Sequence, residues 1–324
     1  MKRCGFLFEE IASQANLWQA WLEFRRGKRG RPTVQQFACR ALGRIAVLHR
    51  RLREGSYHPA PCRLFLLHEP KRRLIAAAEV ADRVVHHAIH RVLAPRLDRR
   101  LVEHNYACLP ERGAHRALLA FQRAMRRSRY VLLLDVQSYF PSIDPDILGA
   151  LLRRWLKDGR VLALSDRILD AGRGLYDGPR TRTFLGLADD WPPAGRGLPI
   201  GNLTSQWWGN HYLSELDHRL RRVHRLPYAQ RYMDDVALFA DDPATLRRVR
   251  DEAAQWLADE RHLRWKHPRR EPTRTDQAVT YLGHRVSRVT IRPTDKAWAR
   301  MRCKLGRALL HPDDERLRRS LAAY

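Results

Sequence analysis

The chain has 324 residues, 44% of them hydrophobic, and carries 61 Lys and Arg against 35 Asp and Glu, a formal charge of +26. The apolar content excludes a disordered basic tail, and a charge imbalance of that size is tolerable mainly against a polyanion, so nucleic acid is the natural partner. The five cysteines (Cys4, Cys39, Cys62, Cys108, Cys303) are scattered with no Cys-x-x-Cys pair, which argues against a disulfide framework or a zinc site and suits a reducing cytoplasm.

No internal repeat is visible, no apolar run approaches a membrane span, and the N-terminus meets acidic residues too early for a signal peptide. The first sixty residues read as helices: one opens at an Asn16 cap, and a second runs from Thr33 to Arg53 and stops at Glu54-Gly55. Leu64–Leu67 reads as a short strand, the loop Glu69-Pro70-Lys71-Arg72-Arg73 leads into Leu74–Ala77, and a long helix covers Asp82 to Arg100. Tyr130 to Leu134 is continuously apolar and then meets Asp135, as in a strand buried on both faces. Asp144-Pro145 predicts an N-cap with proline in the first helical position. Residues 157–196 hold several Gly and Pro and predict an irregular insertion. A helix follows Gly201, with Leu203, Trp207, Leu213, Leu216, Leu220 and Val223 near one face. Tyr228 to Ala240 alternates about a central Asp-Asp, predicting a hairpin, followed by a helix over 243–261 and a strand near 279–287. The tail from Asp295 is basic and helical, with Trp298, Met301 and Leu305 near one face. The order from Tyr130 approaches a ferredoxin-like α+β layout.

Three acidic residues stand out. Asp135 ends a buried strand, and Asp234 and Asp235 occupy a hairpin tip inside a hydrophobic context. Packing strand against hairpin would gather three carboxylates at one sheet edge. Such a group repels itself without cations and suits hard ions such as magnesium, two of which serve phosphoryl transfer to a growing strand.

Tyr232-Met233-Asp234-Asp235 resembles the metal-binding box of reverse transcriptases, and Asp135 to Phe140 resembles their first aspartate motif. The resemblance implies a right-hand polymerase: a ferredoxin-like (RRM-like) palm, helical fingers and a short helical thumb. Residues 1–129 would form the N-terminal helices and fingers, 130–291 the palm with a fingers insertion at 145–196, and 292–324 the thumb. It further implies an RNA-directed DNA polymerase with Asp135, Asp234 and Asp235 as catalytic ligands of two Mg2+ ions, Mn2+ substituting. Val136 would join the metal and nucleotide site, and Tyr232 the nucleotide site. Phe140 matches the aromatic gate that excludes a ribose 2′-OH, and Lys71 and Arg73 match the clamp on the incoming triphosphate, with Arg72 in place of a common proline. Tyr281 to His284 resembles the primer-grip hairpin, while Arg112 and His115 read as template-strand or packing contacts. The family's lysine after the last palm helix has three candidates, Lys266, Arg269 and Arg270.

Leu198 to Gln206 is similar to a narrower group. Ile200-Gly201 and Ser205-Gln206 stand where most relatives have Gln-Gly and Ser-Pro, as in the reverse transcriptases of diversity-generating retroelements, which copy a template repeat with errors at adenines. There Ile200 removes a hydrogen-bonding amide, Gly201 permits close backbone approach to the nucleotide and template, and Gln206 joins the substrate site. Implied partners are an RNA template, the RNA/DNA hybrid, dNTPs and a small basic accessory protein. A docking surface for that protein is expected around Leu17, Trp18, Trp21 and Leu22, against the alternative that these residues are buried in the fingers. Two other readings stay open: a defence or retron-type enzyme, and a catalytically silent RNA-binding protein, against which the intact acidic set weighs.

Overall fold

The computed structural model describes residues 3–68 and 71–310. Helices α1 (Phe8–Ala12), α2 (Gln14–Arg25), α3 (Pro32–Ala38) and α4 (Ala41–Arg53) form a bundle with α5 (Val80–Leu97), which buries Val85, Ile89, Val92 and Leu93. Ser13, not Asn16, caps α2: its hydroxyl accepts from the Asn16 amide at 3.2 Å, and Asn16 instead ties α2 to α5 by donating to the Ala88 carbonyl at 3.1 Å. The single helix expected over 33–53 is broken at Cys39-Arg40, where Arg40 leaves helical geometry at φ −132° and ψ +33°. From the bundle projects the antiparallel hairpin β1 (Arg63–Leu67) and β2 (Arg73–Ala77), with Leu64, Phe65, Leu66 and Leu67 all exposed.

Helix α6 (Ala114–Arg127), which composition alone did not single out, precedes the central sheet. That sheet contains β3 (Tyr130–Asp135), β4 (Tyr228–Tyr232), β5 (Asp235–Ala240) and the short β6 (Thr273–Arg274), in the order β4-β5-β3-β6 with antiparallel neighbours. Strand alternation separates two cores. Leu132, Leu134, Val236 and Leu238 join the larger one, while Val131, Ala237 and Phe239 pack with Phe121 and Met125 of α6. The apolar run Tyr130 to Leu134 is therefore covered on both sides, as its composition predicts.

Between β3 and β4 run α7 (Tyr139–Ser142), α8 (Pro145–Trp155), α9 (Gly159–Asp170), α10 (Pro179–Leu185), α11 (Leu203–Tyr212) and α12 (Ser214–Arg222). Two corrections fall here. The segment 157–196 is not irregular throughout: Asp158 caps α9, which buries Val161, Leu164, Ile168 and Leu169. The helix after Gly201 is two helices that meet at Leu213, and Val223, expected on its apolar face, is exposed just past the end of the second.

After α13 (Pro243–Arg261), the single strand that alternation predicts near 279–287 is two strands joined at Leu282-Gly283, the hairpin that the Tyr281 to His284 resemblance implies, and it lies outside the central sheet. β7 (Val279–Tyr281), β8 (His284–Val286) and β9 (Ile291–Pro293) form their own antiparallel sheet, and β6 takes the fourth central position. The cause is local: Leu282 and Gly283 both have positive φ (+45° and +77°), the signature of a two-residue turn that reverses the chain. Tyr281 stacks on Phe121 with centroids 4.3 Å apart, fixing this hairpin to α6. α14 (Asp295–Leu310) follows; the remainder of the expected thumb, 311–324, lies outside the described residues. Among the described residues no helix is long and apolar enough to cross a membrane.

Candidate active site

The β3–β5 register places Asp135 directly opposite Asp235. Opposed residues of an antiparallel pair share a face, with Cα atoms about 4.5–5.5 Å apart. Asp234 is next to them, in the two-residue turn Met233-Asp234 that joins β4 to β5. Met233 has φ +59° and Ser138, three residues past Asp135, has φ +47°, so left-handed backbone flanks the carboxylates on both segments. Such conformations cost about 1–3 kcal/mol for a residue with a side chain and persist only where the surroundings hold them.

Burial first, and then the charges of Asp235 and Asp135, push Asp234 above the usual carboxylate range, to about 7. Asp235 is raised to about 6 by burial and by Asp135, against the opposing fields of Lys71, Lys266 and Arg270. Among the described residues no three carboxylate, imidazole or thiolate groups converge closely enough to hold an ion already. The single tight cluster expected is thus met by the backbone register and not by the side chains. A cation bound there would relieve the mutual repulsion and desolvation that raise these carboxylates. The donors are carboxylates, which suits hard divalent ions.

Lys266 stands at this edge: its amide donates to the Asp135 carbonyl at 2.8 Å and its Nζ lies 3.5 Å from Asp135 Oδ2. Lys71 and Arg73 are exposed at the start of the β2 arm, and the charge of Lys71 reaches both hairpin aspartates. The Val136 side chain is buried, leaving only its main chain to face a ligand, and its amide approaches the Asp234 carbonyl at 3.4 Å. Tyr232 pairs across the hairpin with Asp235 and packs on the α6 core.

Half-buried Phe140 lies over Gly209 of α11, where an added Cβ would come 3.3 Å from its ring. Its carbonyl accepts from the Leu198 amide at 2.9 Å, which brings the Leu198 to Asn202 loop beside it. That loop also joins β2: the Ala76 amide donates to the Ile200 carbonyl at 2.8 Å. At Gly201, φ is +120°, and a Cβ would meet Ile75 Cγ2 at 3.1 Å and the Ala76 carbonyl oxygen at 3.3 Å. Within the protein, the close approach at this glycine is to β2. Gln206 is exposed on the first turn of α11.

Other expectations sort clearly. Asp144 is a helix cap, accepting from the Asp146 amide at 2.9 Å, with His262 Nδ1 2.9 Å from its second oxygen. Arg112 is a packing residue that donates to the carbonyls of Val102 and Asn105 at 2.8 and 2.6 Å, while His115 is exposed. Leu17 and Trp21 are fully buried, and Trp18 and Leu22 pack against the same core. The docking surface expected there is thus contradicted, because α2 spends its apolar face on α5.

Sequence reasoning missed a buried polar group behind the hairpin, made by Arg231, Asp217, Asn210 and Asn105. One signal was available: Asn210 and Asp217 are seven residues apart, on the same side of a segment otherwise lined by leucines.

Residues 68–286, more than half of the chain, match the family described as reverse transcriptase (RNA-dependent DNA polymerase). The chain belongs to the reverse transcriptase family. It is 23% identical over 283 residues to protein YkfC of Escherichia coli K12, covering 75% of this chain and 71% of that protein. It is also 24% identical over 177 residues to the group II intron-encoded protein LtrA of Lactococcus lactis subsp. cremoris, covering 54% of this chain and 28% of that longer protein. As a reverse transcriptase it is an RNA-directed DNA polymerase, acting on RNA templates with dNTPs and using divalent metal ions as the family does.

Proposed function

We propose that Asp135, Asp234 and Asp235 are the catalytic carboxylates of this reverse transcriptase and hold two Mg2+ ions, with Mn2+ able to replace them. The in-register pairing of Asp135 with Asp235, with Asp234 on the adjoining turn, is the observation that carries this reading. Held by these carboxylates, two such ions would supply activation of the primer 3′-oxygen and neutralisation of charge on the departing pyrophosphate. The Val136 main chain lies within reach of the same group. Lys71 and Arg73 grip the triphosphate from the β2 arm, Tyr232 supports the nucleotide site, and Phe140 excludes a 2′-OH. Of the three basic candidates, Lys266 is beside Asp135, and its Nζ can hand a proton to the leaving pyrophosphate. The β4-β5-β3-β6 sheet serves as a ferredoxin-like palm (130–144 and 197–291), residues 1–129 with part of 145–196 as fingers, and the segment from 292 as thumb. Mn2+ titration followed by electron paramagnetic resonance tests the metal assignment: wild type should take up the ion, and Asp135→Asn or Asp235→Asn should take up much less. Equal uptake in all three would sink it.

We further propose error-prone copying of a template-repeat RNA, as in diversity-generating retroelements. Ile200, bonded through its carbonyl to β2 beside Phe140, supports this by offering an aliphatic side chain where a polar one would check the base. Ile200→Gln should reduce misincorporation opposite template adenines in sequenced cDNA, and an unchanged error rate would remove the subfamily reading. The basic accessory protein implied by that reading would have to dock away from Leu17 and Trp21.

A further inference from the structure

Arg231 immediately precedes the Tyr232–Asp235 box, yet its side chain is only 1% exposed. A guanidinium has five N–H donors in a fixed fork. All five are used here. Nε donates to Asp217 Oδ1 and Nη2 to Asp217 Oδ2, both at 2.7 Å. Nη2 also donates to the Asn210 carbonyl at 2.9 Å, and Nη1 to Asn210 Oδ1 at 3.1 Å. The remaining Nη1 donor reaches the Met233 carbonyl at 2.8 Å.

The acceptors are themselves held. Asn105 Nδ2 donates to Asn210 Oδ1 at 2.9 Å, and Asn210 Nδ2 donates to the Ala107 carbonyl at 2.7 Å. The Arg231 main chain is clasped by the same linker: its amide donates to the His104 carbonyl at 3.0 Å, and its carbonyl accepts from the Tyr106 amide at 2.9 Å. Three chain segments therefore converge on Arg231, whose guanidinium alone among these groups reaches the carbonyl of the left-handed Met233 between Tyr232 and Asp234.

A buried ion pair is a poor device for stability alone, since apolar residues of similar volume often serve as well or better. An apolar pair cannot hold the Met233 carbonyl. A lysine would supply a point charge without the planar fork that spans Asp217, Asn210 and Met233 together.

We propose that Arg231 is a positioning residue for nucleotidyl transfer: braced by Asp217 and Asn210, it fixes the Met233 carbonyl and with it the turn that presents Asp234 and Asp235. The inference rests on the assignment of those aspartates as metal ligands. Its distinguishing consequence is a change in metal requirement, not merely in stability.

Primer extension on a defined RNA template, titrated with Mg2+, tests it on three full-length variants. Arg231→Lys removes the fork, and Arg231→Met with Asp217→Leu removes the buried charge pair without leaving either partner unpaired. Leu17→Ala, buried in the N-terminal helical bundle, serves as a control for lost stability. The Mg2+ concentration for half-maximal extension should rise about 10–100-fold in both Arg231 variants, the range seen when a residue supporting a metal ligand is lost. Rate should recover in part at high Mg2+, with KM for dNTP and RNA affinity near wild type, while Leu17→Ala keeps the wild-type requirement. An unchanged requirement in a folded Arg231→Met/Asp217→Leu protein overturns the proposal. Failure of both Arg231 variants to fold overturns it as well, since Arg231 would then be a fold residue. Asp235→Asn run in parallel separates the two ideas: extension by that variant would sink the aspartate assignment itself.

Discussion

Asp234 and Asp235 hold protons at pH values where an unfolded chain has released them, because burial and mutual repulsion raise both groups. Without metal, this contribution favours the folded state at low pH and is lost as pH rises from the usual carboxylate range, about 4, through 6 to 7. On the proposed metal assignment an ion displaces those protons, so the Mg2+ concentration for half-maximal extension should climb steeply between about pH 8 and about pH 6. A requirement independent of pH across that range would contradict the raised carboxylates. Gly201→Ala should lower the melting temperature and weaken dNTP use together, because a side chain at φ +120° costs about 1–3 kcal/mol and presses on Ile75 and Ala76. A variant with wild-type melting and KM would show that the loop does not depend on this contact. The three aspartates were legible in the sequence because each ends or turns a strongly apolar strand. Arg231 was not, since its partners Asp217 and Asn210 lie on other elements and only the fold brings them together. Gly201 was recognised as a close-approach residue, but what approaches it is set by tertiary packing.

Single elements show where local signals suffice and where they fail. The helix over 243–261 and the Asp144-Pro145 start of α8 follow their capping residues closely. α9 was hidden by the surrounding Gly and Pro, although Asp158 marks its start and apolar residues recur at helical spacing. Asp158 does more than cap: its Oδ2 also accepts from the Leu7 and Phe8 amides at 2.8 and 2.9 Å, pinning the N-terminal segment to α9. Despite the cost of burial, the amides of Phe8, Leu7, Val161 and Arg160 hold its carboxyl below the usual range. Its stabilisation is therefore present above about pH 4 and lost as pH falls through the depressed value. Asp158→Ala should cost about 2 kcal/mol at neutral pH, measured by denaturant unfolding, and progressively less in acid. A loss of equal size at every pH would mean that the charge is irrelevant. At 279–287 alternation predicts one strand where a Leu-Gly turn makes two, since periodicity alone cannot distinguish them; only the motif Tyr281 to His284 pointed to the hairpin.

Over the whole molecule, the formal charge of +26 and the exposed β1–β2 arm fit an enzyme that holds a polyanionic template. RNA affinity should fall by about a hundredfold or more between roughly 50 and 200 mM salt if six or more phosphates are neutralised, and a flat response would assign the charge another use. The mixed helix–sheet class and the pairing of strand β3 with the β4–β5 hairpin were readable from hydrophobic periodicity. The fourth sheet position was not, because two-residue β6 carries no periodic signal of its own. The account rests on the register that sets Asp135 against Asp235 beneath the Asp234 turn. Its most direct test is single-turnover extension of a DNA primer on RNA in Mg2+, with RNA affinity measured on the same samples, for wild type and Asp235→Asn. Wild type should incorporate dNTPs, and the variant should fall to background while binding RNA as tightly as before. Extension by Asp235→Asn at the wild-type rate would contradict the account.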